Sequence, residues 1–185
     1  MNLMQMSKLK RIIPALLLIC AGCGNKEPPR TNLPADATPQ ATPAISRQVS
    51  SADVVKLSVP DTVITGGGST QANVRIVISE GYHVNANPPT FPYLIPTKVE
   101  APESKGITFG NPVYPAPVTK NFSFAPEKPL AVYEDETAIN LPMQAATDAV
   151  KGARVVPLVV RVQACDDSVC YAPVRIDLPL NLTVK

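Results

Sequence analysis

The 185-residue chain has no tryptophan, one histidine and four cysteines. Each scarcity closes a class of function. With His83 alone and no Gly-x-Ser-x-Gly elbow, a nucleophilic hydrolase has neither its base nor its turn. Structural zinc takes four ligands, mostly Cys and His, so a metal site here would have to recruit carboxylates as well. A lone histidine in a strand-rich chain reads as a surface or half-buried strand residue rather than a ligand or base. No metal and no cofactor are expected. Charge is in short supply too. The formal balance is +2, from 17 basic and 15 acidic side chains, which leaves no electrostatic case for nucleic acid.

Long apolar runs are scarce as well. Ile12 to Ala21 is uncharged and apolar over about ten residues, too short for a permanent span, and it follows Lys8, Lys10 and Arg11. That is the layout of a signal peptide, residues 1–22. It ends in Ile19-Cys20-Ala21-Gly22-Cys23, the pattern of a bacterial lipobox, with Cys20 where Leu is usual. Cys23 would then be the lipidated first residue; an ordinary signal peptide cleaved nearby is the alternative. Gly24 rather than Asp follows, which favours the outer over the inner membrane. Removing Lys8, Lys10 and Arg11 leaves 14 basic against 15 acidic groups, a net of −1.

Residues 23–52 carry Pro28, Pro29, Pro34, Pro39 and Pro43 among small polar residues, with no aromatic. Such a segment buries too little to offset its ordering entropy and is expected to be a disordered tether. At roughly 3 Å per residue it could reach about 90 Å.

Residues 53–185 are expected to form one all-β domain. Val74, Ile76 and Ile78 alternate with Asn73, Arg75 and Val77, and Ile139, Leu141, Met143 and Ala145 with Asn140, Pro142 and Gln144. Val156, Leu158, Val160 and Val162 share a face, and Val174 to Val184 alternates throughout. Period-two patterning predicts half-buried strands. Pro142, Pro157 and Pro179 on the wet faces predict edge strands or bulges. Gly66-Gly67-Gly68, Ser79-Glu80-Gly81, Asn87-Pro88-Pro89 and Lys151-Gly152 punctuate the pattern as turns. No amphipathic helix of ten residues is present, and the whole predicts an immunoglobulin-like antiparallel β-sandwich.

Once the export signal is removed at Cys23, Cys165 and Cys170 are the only thiols in the folded part. They lie between the last two predicted strands. A disulfide closing so small a ring adds only about 2 kcal/mol by the loop-entropy model, so a staple and a redox pair both remain open. Low-pKa thiols sit beside cations or helix N-termini; this pair encloses Asp166 and Asp167, which should raise the thiol pKa values. The expectation is a guarded relay that reacts only inside a docked complex.

Gln163-Ala164-Cys165-Asp166-Asp167-Ser168-Val169-Cys170-Tyr171-Ala172-Pro173, with its alternating terminal strand, resembles the N-terminal periplasmic domain of the thiol:disulfide interchange protein DsbD. Gly81 to Pro89 with Tyr93 to Thr97, and Gly110 to Pro117 with Val132 to Asp135, agree with it. The resemblance implies an immunoglobulin-like fold and a pair that is reduced by a membrane thiol reductase domain. The pair would in turn reduce periplasmic thioredoxin-like proteins, among them disulfide isomerases and cytochrome c maturation factors. It implies that Cys170 forms the mixed disulfide and Cys165 resolves it. It also implies an aromatic cap over the cysteines, for which Phe122 or Phe124 qualifies; ordinary core rings are the alternative. DsbD itself continues into a membrane domain and a thioredoxin-like domain. This sequence stops at Lys185 and resembles a lipoprotein, so its reductant would be a separate protein. The competing function is a non-enzymatic envelope lipoprotein whose disulfide only staples a hairpin; a metal-binding envelope protein using His83 is a third.

Overall fold

The alternating segments become the long strands of a β-sandwich in the computed structural model, which describes residues 49–185. The signal peptide, Cys23 and the tether up to residue 48 lie outside the described residues. Twelve strands follow in order: β1 (Val55–Ser58), β2 (Thr62–Ile64), β3 (Ser69–Ile78), β4 (His83–Asn85), β5 (Lys98–Glu100), β6 (Ile107–Phe109), β7 (Val118–Phe122), β8 (Ala125–Tyr133), β9 (Glu136–Ala145), β10 (Gly152–Val162), β11 (Ala164–Cys165) and β12 (Val174–Val184). They form three sheets, ordered β1-β3-β9-β6, β2-β12-β10-β5 and β11-β4-β8-β7. The ladders are antiparallel apart from β12 with β2, which run parallel.

The first two sheets bury their inner faces in a common core. Val74 and Ile76 from β3, Ile139 and Leu141 from β9, Leu158 and Val160 from β10, and Leu180 and Leu182 from β12 are all at most 1% exposed. Each such side chain contributes about 1.5–3 kcal/mol through removal of apolar surface from water. Val174 and Ile176 continue the same face but are only partly buried against the core.

The prolines do not mark edge strands. β9, β10 and β12 each lie between two neighbours. Pro157 and Pro179 face each other across the β10–β12 ladder, a rung where neither residue needs to donate, because both backbones point outward. The outer partners are too short to ask for the missing donors: β5 pairs only with Val159 to Arg161 and β2 only with Leu182 to Val184. Pro142 accepts from Gly110 N–H at 2.8 Å, and its absent donor falls in the gap between β6 and the Val113–Asn140 bridge. The missing neighbour, rather than the sheet edge, is what accommodates proline.

The third sheet is built from continuations of the other two. β10 runs through Gln163 into β11, β8 runs through Glu134-Asp135 into β9, and β3 turns into β4. In that last turn Gly81 has φ +81° with nothing within 4 Å of where a Cβ would lie, so backbone conformation rather than space requires glycine there. A small second core of Leu94, Phe122, Ala125, Leu130 and Val132 underlies the β7–β8 hairpin. Ser51, which the sequence places in the tether, is fully buried, so the ordered chain reaches back beyond Asp53.

Candidate redox site

Strand register assembles the site. β11 is flanked by β4 on one side, where His83 pairs with Cys165, and by Cys170 on the other, where the two cysteines form an antiparallel bridge. Residues in register project to the same face of a sheet. His83, Cys165 and Cys170 therefore form one lateral row. Cys165 and Cys170 are joined as a disulfide with S–S 2.05 Å and Cα–Cα 3.9 Å. Cys165 is 1% exposed, whereas Cys170 is partly exposed.

The loop between the cysteines is organised by Asp166. Its Oδ1 accepts from Ser168 N–H at 2.7 Å and Val169 N–H at 2.8 Å, and Tyr171 O–H donates to Oδ2 at 2.5 Å. Asp166 N–H closes the turn onto Val169 carbonyl at 3.0 Å. These donors, Tyr171 first, hold the Asp166 carboxyl below its ordinary value, while the same bond pushes Tyr171 up to about 12. Asp166 thus spends its charge within the loop. Asp167 carries the outward carboxylate, 79% exposed, with Oδ1 3.8 Å from His83 Nε2.

His83 departs from the sequence expectation of a surface or half-buried strand residue: it is 1% exposed. Its ring lies 4.5 Å from that of Phe122, and Nε2 has no hydrogen-bond partner. Burial lowers its pKa, and Lys120 lowers it further. The Asp166 backbone and the charges of Asp167 and Glu134 act the other way.

The β7–β8 hairpin leans over this row. Phe122 is 4% exposed and stacks with the partly buried Phe124 at 5.1 Å. At the hairpin tip, Ser123 Oγ donates to the Asp167 carbonyl at 2.8 Å, fastening the hairpin to the cysteine loop. Phe122 therefore serves as core of the hairpin and as wall for His83.

Behind the row, buried polar groups fix the backbone. Ser51 Oγ accepts from Ala164 N–H at 3.0 Å and donates to Ala172 carbonyl at 2.7 Å, tying both chain segments that flank the cysteines. Gln163 Oε1 accepts from Asn85 Nδ2 and Ile95 N–H, both at 3.0 Å, and its Nε2 donates to Tyr171 carbonyl at 3.2 Å. Tyr171 also packs toward Tyr82, ring centroids 6.0 Å apart. Among the described residues no group of three or more His, Cys, Asp or Glu side chains is placed to hold a metal ion.

The family model of the thiol:disulfide interchange protein DsbD, N-terminal, matches residues 53–180. The chain belongs to this family. It is a thiol–disulfide exchange domain of DsbD N-terminal type, carrying its cysteines as the Cys165–Cys170 disulfide. DsbD N-terminal domains are periplasmic. Among solved structures, the reduced DsbD N-terminal domain of Neisseria meningitidis is similar at 23% identity and TM-score 0.44, covering 70% of this chain and 85% of that one. The N-terminal periplasmic domain of ScsB from Proteus mirabilis is similar at 12% identity and TM-score 0.44, covering 70% and 45%. A type I cohesin from Pseudobacteroides cellulosolvens is similar at 8% identity and TM-score 0.42, covering 71% and 92%. No curated protein sequence matches.

Of the residues singled out in the sequence, Cys165, Cys170, Asp166, Asp167, Tyr171, Phe122 and Phe124 are brought together at this DsbD-type site; Cys23 lies outside the described residues. The sequence predicts His83 at the surface or half-buried in a strand, and it places Ser51 in the tether. Both reach the cysteines from far along the chain, and only strand register reveals the meeting. The sequence signal for His83 was its place in Gly81-Tyr82-His83-Val84; for Ser51 there was none.

Proposed function

We propose that this domain relays reducing equivalents from a membrane thiol reductase of DsbD type to thioredoxin-like periplasmic proteins. The observation that carries the reading is the asymmetry of the pair: Cys170 is partly exposed and Cys165 is buried. In charging, a donor thiolate attacks Cys170 Sγ, the Cys165–Cys170 bond breaks, and Cys165 leaves as a thiolate. The donor's second thiol then resolves the mixed disulfide, leaving the domain with two thiols and the donor with a disulfide. In delivery, the Cys170 thiolate attacks an acceptor disulfide. Cys165 next attacks Cys170 Sγ and the acceptor departs reduced by two electrons.

Phe122 and Phe124, held by the Ser123–Asp167 bond, would shield the pair until a partner displaces the hairpin. Asp166 and Asp167 keep the free thiols protonated between encounters, and a pKa well below 7 on either cysteine in pH-dependent alkylation would contradict this guarding. Lipidation of Cys23 would hold the domain at the outer membrane on its tether. Fatty-acid labelling lost in Cys23→Ala is the expected sign.

The deciding experiment pairs a redox titration against glutathione with trapping in cells. A potential above the range of structural disulfides, which begins below about −300 mV, is expected. So is a covalent partner adduct in Cys165→Ala but not in Cys170→Ala. A potential within that range with no adduct would establish the staple reading instead.

A further inference from the structure

Among the described residues, His83 Nε2 is a buried side-chain nitrogen with no hydrogen-bond partner. Leaving such an atom unpaired costs stability, and it calls for an explanation. Packing alone does not supply one, since an apolar residue of similar shape would fill the space without that cost. The ring is set in the same cross-strand row as the disulfide, against Cys165, the buried member. Its surroundings hold it there: the Phe122 ring lies against it, centroids 4.5 Å apart and tilted by 53°. Nε2 lies beside the cysteine loop, with Asp167 Oδ1 3.8 Å away.

Resting on the relay reading above, we propose that His83 is the proton acceptor for Cys165 in the step that resolves a mixed disulfide. A buried thiol beside two aspartates is protonated and a poor nucleophile, whereas attack requires its thiolate. His83 Nε2 takes the proton from Cys165 S–H. The Cys165 thiolate then attacks Cys170 Sγ, the Cys165–Cys170 bond forms, the bond from Cys170 to the partner sulfur breaks, and the partner leaves as a thiolate. The imidazolium next passes its proton to solvent through the exposed Asp167. In the charging direction the proton runs the other way, from solvent through Asp167 to Nε2 and on to the departing Cys165 thiolate. The charged groups acting on the ring are Lys120 on β7, which favours the neutral base, and Glu134 after β8 and Asp166 and Asp167 in the loop, which favour the protonated one.

The test needs only the reduced protein and oxidised glutathione, with acid quenching and mass spectrometry to follow the glutathione adduct on Cys170. In the natural chain the adduct's resolution should speed up with pH only until His83 is neutral, at an inflection below 6.5, and then level off. His83→Gln should form the adduct at the natural rate yet resolve it about 100-fold more slowly at pH 7. Its rate should keep climbing with pH, closing the gap above about pH 9, where Cys165 ionises unaided. Asp167→Asn, at an exposed position, should leave the fold intact and move the natural inflection to lower pH. Equal rates at pH 7, a slowing of the same factor at every pH, or an inflection unmoved by Asp167→Asn would each overturn the role of His83. Absence of any adduct on Cys170 in the natural chain would instead overturn the relay reading itself.

Discussion

The Tyr171 hydroxyl donates to Asp166 Oδ2 at 2.5 Å, across the same short loop that the disulfide closes. The loop therefore has a second, non-covalent clasp beside the disulfide. Asp166 has its pKa lowered, so its contribution is present above the unfolded value near 3.8 and is lost as pH falls through the lower folded one. Tyr171 is raised to about 12, so its contribution is full below 10.0 and fades as pH climbs toward that value. Asp166→Asn is predicted to return Tyr171 ionisation toward 10.0, read by tyrosinate absorbance. An unchanged titration would remove the clasp from the account.

Ser51→Ala is predicted to destabilise the domain by about 1–3 kcal/mol, because it strands the buried Ala164 N–H without an acceptor. Urea unfolding measures the loss, and faster amide exchange at Ala164 should accompany it. A loss below about 0.5 kcal/mol would mean that the segment before β1 is incidental.

Ser123→Ala removes the bond from the hairpin tip to the Asp167 carbonyl. Reduction of the disulfide by dithiothreitol is predicted to accelerate several-fold, with unfolding stability changed by no more than about 0.5 kcal/mol at this exposed position. If the rate stays the same, the hairpin does not guard the pair.

Leu180→Ala, at a position with no exposure, is predicted to cost about 2–5 kcal/mol. Val155→Ala, 62% exposed on the neighbouring strand, should stay within about 0.5 kcal/mol. Denaturant midpoints of the two variants check which face of the alternation is the core.

The long strands β3, β9, β10 and β12 were legible in the sequence because each has one wet face, and a wet face imposes period two. β4 was not: His83, Val84 and Asn85 are all buried, so no alternation marks them. β8 hid for the opposite reason, with Pro126, Glu127, Lys128 and Pro129 all exposed at its start. The prolines misled because sequence reports a missing donor, not whether a neighbour is there to want it. The same limit applies to the site. Cys165 and Cys170 are close in sequence and drew attention by themselves, while His83 and Ser51 belong to the site only through long-range pairing.

The facing prolines of β10 and β12 also bear on how the domain meets copies of itself. Where β5 and β2 stop short, the outer rims of the two longest strands lie open, and each rim is interrupted by a residue that cannot donate. A strand from a second molecule finds no continuous ladder to extend, so crowding on a surface need not lead to fibrous association. Threonine in place of both Pro157 and Pro179 would restore the donors. Sedimentation should then detect self-association at lower concentration than for the natural chain.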